Sequence, residues 1–300
     1  MDYDSLKKEN KPKLIEICRD KELKITGNKG VLIERILNPS QGDKKKATQN
    51  DLWKHILEQN KYKGEDNFNL SAKDIKKCSS TWSGEKNQFE PRLLCYQGHF
   101  EELPEIFKEM GICIFSIKNG LYIITKQNIY EVLKYKEVPL NMLKRDNTSL
   151  VLRMGNSETS LIDNLRYSGV FESSNFMNES INHEGLLMGR HYCSFDMNIN
   201  KQQHKIEGVQ FETDKCYESD NCIMVIEGKS VLKKLESFNL RQLYFPFRYI
   251  YDKTNGKKKI ICAFITQYND IISIWKYTFT DHLNMSSISC TGLYEYKFSN

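Results

Sequence analysis

Two acidic residues and a lysine in the C-terminal half of the chain have the types and spacing of a hydrolytic site. Glu227 follows Asp214 by thirteen positions, and Lys229 lies two positions after Glu227. Carboxylates that gather at the exposed end of an apolar strand repel one another unless a positive charge lies between them. A divalent cation supplies that charge, and hard oxygen ligands suit Mg²⁺. Such a cation would hold a phosphate and ionise a water, while the lysine orients that water or offsets developing charge.

Strand-like patterns on both sides of a turn are expected to position these side chains. Residues 209–214 alternate between apolar and polar, which predicts a strand that ends in Asp214. A polar turn at 218–221 leads into 222–226, a run that is apolar on both faces and is therefore typical of a central strand. Two antiparallel strands joined in this way bring Asp214 beside Glu227. The alternative is a surface hairpin that ends in a solvated glutamate and lysine.

Asp214 followed by Glu-x-Lys resembles the active-site signature of the PD-(D/E)XK nuclease superfamily, with Thr213 in the place of the usual proline. The resemblance implies an α/β (α+β) fold class with a restriction-endonuclease-like αβββαβ core and a mixed sheet. It also implies that Asp214 and Glu227 ligate Mg²⁺, helped by the carbonyl of Gly228. Lys229 would position the attacking water, and hydrolysis would leave a 5′-phosphate.

The resemblance covers about residues 155–280, where the hydrophobic pattern predicts the necessary elements. An apolar stripe predicts a helix after Ser157, the expected N-cap. Many members of the superfamily carry an acid on this helix, and Glu158 matches that position loosely; a solvated glutamate in the first helical turn is the alternative. Further elements are predicted as a strand over 191–197, an aromatic-faced helix over 238–249, and strands over 259–266 and 271–279.

Arg241 and Gln242 come directly after the predicted active-site strand and are candidates to contact the scissile phosphate. Hydrogen bonding at the helix surface is the equally weighted alternative. The run FNLRQLYFPFRYI, followed by the strand KKKIICAFIT, looks like a subset of type II restriction endonucleases. This likeness implies a homodimer that cuts both strands of double-stranded DNA, and a cognate DNA methyltransferase that acts on the same site.

The first 38 residues contain two amphipathic helical patterns with a Gly-Lys loop between them, KLIEICRDKEL and ITGNKGVLIERIL. This arrangement resembles the SAP motif, a small DNA-binding module. In that family the loop and the start of the second helix meet the phosphate backbone, which implies DNA contacts from Lys24, Thr26, Asn28 and Lys29. The alternative is a helical hairpin that makes protein contacts.

The positive charge of the chain is concentrated near its start. Residues 1–77 hold 18 Lys and Arg against 13 Asp and Glu, whereas residues 78–300 hold 26 of each. A basic segment attached to a neutral body suggests contact with a polyanion, although a solvated basic face has the same composition.

Composition divides the remaining chain into a linker (39–50), an α+β middle region (51–150) that packs on the core or carries DNA recognition, and the nuclease core (151–300). Within the middle region we predict a helix over 51–62, a hairpin turn at 118–120 and a helix over 128–135.

Hydropathy and cysteine usage bear on where the protein works. Hydrophobic residues make up 39% of the chain and charged residues 28%, and no apolar run reaches the roughly 18 residues that a membrane span needs. The first ten residues are too polar for a signal peptide. Nine cysteines without CxxC spacing favour the cytoplasm over a disulfide framework, and buried cysteines over a zinc site. The competing interpretations of function are a repair or recombination nuclease that reads DNA structure, and a DNA-binding protein without catalysis.

Overall fold

The structure, a computed structural model, describes residues 3–21, 23, 25–38, 48–84, 86–144, 149, 157–187, 189–230 and 234–299. These residues form a mixed α+β fold. Its α-helices are α1 (Tyr3–Lys8), α2 (Lys11–Asp20), α3 (Lys29–Leu37), α4 (Gln49–Gln59), α5 (Ala72–Lys77), α6 (Pro91–Leu94), α7 (Glu105–Met110), α8 (Glu158–Tyr167) and α9 (Arg241–Thr254). Short 3₁₀ turns lie at Cys78–Ser80, Lys86–Gln88, Phe100–Glu102 and Met285–Ser287.

The chain moves between sheets more than once, so strands that are neighbours in sequence do not always share a sheet. They are β1 (Asn67–Ser71), β2 (Cys113–Lys118), β3 (Leu121–Thr125), β4 (Tyr130–Val132), β5 (Leu140–Leu143), β6 (His191–Ile199), β7 (Gln202–Phe211), β8 (Lys215–Glu218), β9 (Cys222–Ser230), β10 (Ser237–Asn239), β11 (Lys259–Tyr268), β12 (Ile271–Phe279) and β13 (Ile288–Phe298). They form a six-stranded sheet in the order β5-β13-β12-β11-β9-β8, a five-stranded sheet in the order β1-β3-β2-β7-β6, and the pair β10-β4.

Strand β9 is an internal strand of the six-stranded sheet and lies next to the edge strand β8, whereas its apolar sequence predicts a central strand; β11 and β12 occupy the centre. The first seven residues of β9 are buried, and β9 pairs with β8 antiparallel and with β11 in parallel. A parallel pair needs a crossover connection, which α9 supplies between β9 and β11. One hydrophobic cluster, which includes Leu161 and Ile162 of α8, packs against Met224 and Ile226 of β9.

The middle region and the C-terminal region share their sheets. In the five-stranded sheet β2 pairs in parallel with β7, and Lys118 of β2 lies 2.7 Å from the carboxylate of Glu207 in β7. Likewise β4 pairs with β10, and β5 pairs with β13. A single hydrophobic cluster extends from Trp53 to Leu293. Strands from both sides of residue 150 therefore contribute to each sheet and to one core.

The N-terminal helices have a hydrophobic cluster of their own. Leu6 of α1, Leu14 and Cys18 of α2, and Leu32 and Ile36 of α3 are buried against one another. The two predicted helices of this segment are confirmed as α2 and α3, and α1 precedes them. Most of the predicted linker, residues 39–47, lies outside the described residues, and its last two residues begin α4.

Most elements predicted from hydrophobic periodicity are confirmed. The helices predicted over 51–62 and after Ser157 are α4 and α8, and the side chain of Ser157 caps α8 as expected. The hairpin turn at 118–120 joins β2 to β3, and the predicted strands from 191, 259 and 271 are β6, β11 and β12. In the described part of the chain, no helix is long and apolar enough to cross a membrane.

Three local predictions are wrong. The helix expected over 128–135 is instead the short strand β4, because its backbone pairs with β10, more than one hundred residues later in the chain. The helix expected from residue 238 starts at Arg241, because the residues before it form β10. The strand expected to end in Asp214 ends at Phe211 and belongs to the five-stranded sheet, and the partner of β9 is β8, which begins after Asp214.

The shared sheets predict that the middle and C-terminal regions fold together. We expect a fragment of residues 151–300, which lacks β1 to β5, to show no cooperative thermal transition by circular dichroism, because the edges of β7, β10 and β13 would be unpaired. A fragment of residues 48–300 keeps every sheet and serves as the control, with one cooperative transition expected. A cooperative transition in the shorter fragment would show that the C-terminal region is stable alone.

Candidate active site

The pairing of β8 with β9 brings Asp214 next to Glu227. Lys215 is the register partner of Ile226, so the next position back along β8 faces Glu227. The backbone N–H of Gly228 donates to Oδ2 of Asp214 at 2.7 Å, which fixes this carboxylate against β9. The predicted neighbourhood of the two acids is therefore present, although it depends on a different strand from the one expected.

Glu227 is a buried carboxyl group with only 7% of its surface exposed. Its Oε1 accepts hydrogen bonds from Nζ of Lys229 at 2.7 Å and from Nε2 of Gln242 at 2.6 Å. Burial raises the pKa of Glu227 to about 7 in spite of the lysine, which lowers it, and the nearby Asp214 raises it further. The positive charge of Lys229 therefore does not fully offset the cost of burying the ionised form of Glu227.

Lys229 lies among three carboxylates. Burial alone lowers its pKa, but the attraction of Glu227, Glu158 and Asp214 outweighs burial and raises the pKa above its usual value. Oε2 of Glu158 lies 3.8 Å from the ammonium, and its Oε1 accepts from the backbone N–H of Ser230 at 3.3 Å. The acid predicted on the first helix of the core is thus in contact with the lysine.

Helix α8 is held against the site by packing and by an ion pair. A Cβ at Gly228 would lie 3.2 Å from Cδ1 of Ile162 and 3.7 Å from Oδ2 of Asp214, so glycine allows the helix to approach β9 closely. Lys215 and Asp163 form an ion pair at 2.8 Å that ties α8 to β8. The same contacts keep Glu158 at the end of the strand.

Asp214 and Glu227 each keep one carboxylate oxygen without a hydrogen bond from the described residues, since the bonds above use only Oδ2 and Oε1. Oε1 of Gln242 is buried without a hydrogen-bond partner beside them. Two unused anionic oxygens, a carboxyl with a raised pKa and an unpaired acceptor suit a hydrated cation. The residues therefore fit Mg²⁺, although no three His, Cys, Asp or Glu side chains form a ready metal cluster in the described ranges.

The site opens into a cavity of about 770 Å³ between the two large sheets. Its wall includes Asp214, Glu227, Lys229, Arg241 and Gln242 from the C-terminal region. The opposite side comes from residues 92–122 and from β7. Both candidate phosphate contacts, Arg241 and Gln242, therefore lie at the same cavity as the acids, and Gln242 contacts Glu227 directly.

The residues predicted to touch DNA in the N-terminal segment lie apart from this cavity. Thr26 and Asn28 are exposed and Lys29 is partly exposed, while Lys24 lies outside the described residues. Oδ1 of Asn28 accepts from the N–H of Val31 and so caps α3. The side chain of Asn28 thus has a structural role.

Sequence reasoning missed the exposed aromatic and apolar residues that line the cavity. Tyr96 and Leu93 of the middle region are 60% and 75% exposed, Tyr192 of β6 is 62% exposed, and all three line the cavity together with Arg92. Large apolar surfaces that stay exposed at a cavity often mark a binding site. Hydrophobic periodicity does not distinguish such residues from core residues.

Comparison with protein families divides the chain into two matched regions. The chain belongs to the family described as Domain of unknown function (DUF6997), which matches residues 125–297. A second family, Domain of unknown function (DUF6996), matches residues 50–124. The cavity is lined by both matched regions. No curated protein and no solved structure matches the chain.

The raised pKa of Glu227 predicts a pH-dependent stability. Ionising Glu227 is harder in the folded protein than in the unfolded chain, so its contribution to the free energy of unfolding is full below about pH 4.5 and is lost as the pH rises to about 7. Glu227→Gln removes this titration. In metal-free buffer, we expect the melting temperature of Glu227→Gln relative to the wild type to be higher at pH 7.5 than at pH 5.

Glu212→Gln is the control for this measurement, because Glu212 is an exposed carboxylate at the same cavity. The difference in melting temperature between Glu212→Gln and the wild type should be nearly the same at pH 5 and at pH 7.5. If the Glu227→Gln difference were equally constant, burial would not be perturbing this carboxyl.

Proposed function

We propose that this protein is a Mg²⁺-dependent endodeoxyribonuclease related to the PD-(D/E)XK superfamily. The observation that carries the proposal is the convergence of Asp214, Glu227 and Lys229 at the end of the buried strand β9. The elements around them agree with a restriction-endonuclease-like core: α8 precedes β8 and β9, and α9 connects β9 to the parallel strand β11. Strands β6 and β7, which lie between α8 and β8 in the chain, however, belong to the five-stranded sheet. Among the described residues, the first strand of an αβββαβ core therefore has no counterpart beside β8 except an isolated bridge from His183 to Glu218.

The residues divide the work of phosphodiester hydrolysis. Asp214 and Glu227, with the carbonyl of Gly228, would hold Mg²⁺, which when bound supplies positive charge to the phosphate and acidity to a water. Lys229 orients the attacking water or offsets the charge that develops on the phosphate. Gln242 holds Glu227 in place through its amide N–H. The bond from phosphorus to O3′ breaks, and the product carries a 5′-phosphate.

Restriction of the type II kind is the form of this activity that we propose first. It implies double-stranded DNA as substrate, a homodimer with one active site for each strand, a cognate DNA methyltransferase acting on the same site, and a place in the cytoplasm. A nuclease that reads DNA structure is the second candidate. The observation that favours it is the pair of exposed tyrosines at the cavity, Tyr96 of the middle region and Tyr192 of β6, whose rings suit unpaired bases. A DNA-binding protein without catalysis is disfavoured by the complete set of two acids and a lysine.

Incubation of the purified protein with unmethylated plasmid and Mg²⁺ separates these candidates. Discrete fragments would identify restriction, while nicks or a smear would identify a nuclease that reads structure or lacks specificity. Intact plasmid, with DNA binding retained, would favour the class without catalysis.

Replacement of the two acids and the lysine should abolish cleavage by different routes. Asp214→Asn and Glu227→Gln each remove a negative charge from the proposed metal site, so we expect productive Mg²⁺ binding to weaken sharply. Lys229→Ala leaves both carboxylates and should reduce the cleavage rate by roughly 100-fold or more, the usual effect of losing one electrostatic partner. Plasmid cleavage and calorimetric Mg²⁺ titration measure the two effects.

Glu212→Gln is the matched control for the acids, because alternation along the sequence predicts it on the same face as Asp214, yet its carboxylate pairs with Arg190 at 3.3 Å. It should keep most of the activity. If Glu212→Gln were inactive while Asp214→Asn stayed active, the acid of the site would be Glu212 and not Asp214. If Glu227→Gln and Lys229→Ala both cut DNA at the wild-type rate, the active site would lie elsewhere in the protein.

Removal of residues 1–45 should weaken DNA binding without changing the sites that are cut. The N-terminal segment carries the excess positive charge, and phosphate contacts position a protein without specifying bases. We expect the affinity of the truncated protein to depend less on salt, and its cleavage to slow most at raised salt. A changed cutting pattern on sequenced plasmid would show that the segment reads bases.

A further inference from the structure

The guanidinium of Arg241 lies at the cavity without an anionic partner. Its Nε is buried and has no hydrogen-bond acceptor, and no carboxylate within the described ranges forms an ion pair with it. Its surroundings are the ring of Phe245 at 4.6 Å, the ring of Phe115 at 5.8 Å, and the neutral side chains of Cys193 and Tyr130. Burial lowers the pKa of Arg241. Arg241 is partly exposed as a whole, but the burial of its Nε without an acceptor is costly, so its position at a cavity points to an anionic ligand.

The cavity around Arg241 has the size of a small-ligand pocket. A volume of about 770 Å³ lies within the range of pockets that hold drug-sized molecules, whereas a DNA double helix must be met by an open groove. Arg92, Tyr96 and Tyr122 stand across from the acids, and Tyr192 lies on the wall formed by β6. The tyrosine rings offer faces on which bases stack, and the two arginines offer charge to a backbone.

We propose that this cavity receives an unpaired DNA strand, with Arg241 bound to a phosphate other than the scissile one and with Tyr96 and Tyr192 in contact with bases. This inference rests on the proposed nuclease function and names its substrate class. The acids near β9 and the guanidinium at the start of α9 then bind different parts of the same strand. A duplex must open locally before one of its strands enters.

Binding to DNA in the presence of EDTA tests the proposal without cleavage. We expect the wild type to bind a fluorescent oligothymidylate more tightly than a blunt-ended duplex of the same length at the same salt concentration, as measured by anisotropy. Arg241→Gln should weaken oligothymidylate binding by roughly tenfold or more, the usual effect of losing a hydrogen bond to a charged group. Tyr96→Ala and Tyr192→Ala should each weaken it by roughly tenfold for a lost stacking contact.

Thermal unfolding separates a ligand-binding arginine from a structural one. Arg241 has no anionic partner among the described residues, although its guanidinium faces the rings of Phe245 and Phe115. We expect Arg241→Gln to melt at the same temperature as the wild type or higher, because removing a partly buried unpaired charge offsets the lost ring contacts. Arg248 on the same helix is the matched control, since it is buried and its Nε also lacks a hydrogen-bond acceptor, but it has an anionic neighbour in the carboxylate of Asp252, 2.9 Å from Nη1. Arg248→Gln should lower the melting temperature and leave oligothymidylate binding unchanged.

Three outcomes would overturn the proposal: equal affinity for the duplex, unchanged oligothymidylate binding by Arg241→Gln or by both tyrosine variants, or a lowered melting temperature for Arg241→Gln. The last result would make Arg241 a structural cation. Failure of the nuclease proposal is distinguishable, because a plasmid left intact with Mg²⁺ says nothing against single-strand binding in EDTA. Conversely, a plasmid that is cut by a protein without single-strand preference would refute only the inference about the cavity.

Discussion

The carboxyl group of Glu227 is the feature on which the geometry of the candidate site depends. It ends the buried part of β9, so its charge has little access to water, and it is held by Lys229 and Gln242 through a single oxygen. These two contacts do not offset the effect of burial, because the pKa of Glu227 is still raised to about 7. A carboxylate held in this state binds a cation more readily than a solvated one, since it has less hydration to lose. The apolar strand that buries Glu227 therefore also prepares it for a ligand.

The cavity in front of Glu227 depends on contacts between distant parts of the chain. Its near side is built from Asp214, β9 and the start of α9, while much of the rest comes from the middle region and β7. The two are joined by the pairing of β10 with β4 and by the side-chain amide of Asn239, which donates to the carbonyl of Gln97. The two matched family regions thus enclose one space, and neither region forms its wall alone.

Hydrophobic periodicity predicted the part of the site that lies on a single strand. The apolar run of β9 and the spacing of Glu227 and Lys229 follow from period two. Asp214 lies beside Glu227 as expected, while its catalytic role stays a prediction. The strand that carries it was predicted wrongly, because alternation before Asp214 cannot reveal that β7 pairs with β2 in another sheet. Strand β4 was predicted as a helix for the same physical reason, since its pairing with β10 is a tertiary contact that outweighs local preference. The exposed Tyr96 and Tyr192 had no distinguishing local pattern at all.

The charges that line the cavity pair unequally, which is informative about what the cavity binds. Glu227 forms an ion pair with Lys229, whereas within the described chain Arg241 forms no ion pair with Glu227 or Asp214. The cavity therefore has two acids and a lysine at one place and an unpaired guanidinium at another. Under the proposed function, a phosphodiester strand accompanied by a divalent cation would match both places, because the cation matches the carboxylates and a phosphate matches the guanidinium. The proposed strand would thus supply the anion that Arg241 lacks within the described chain.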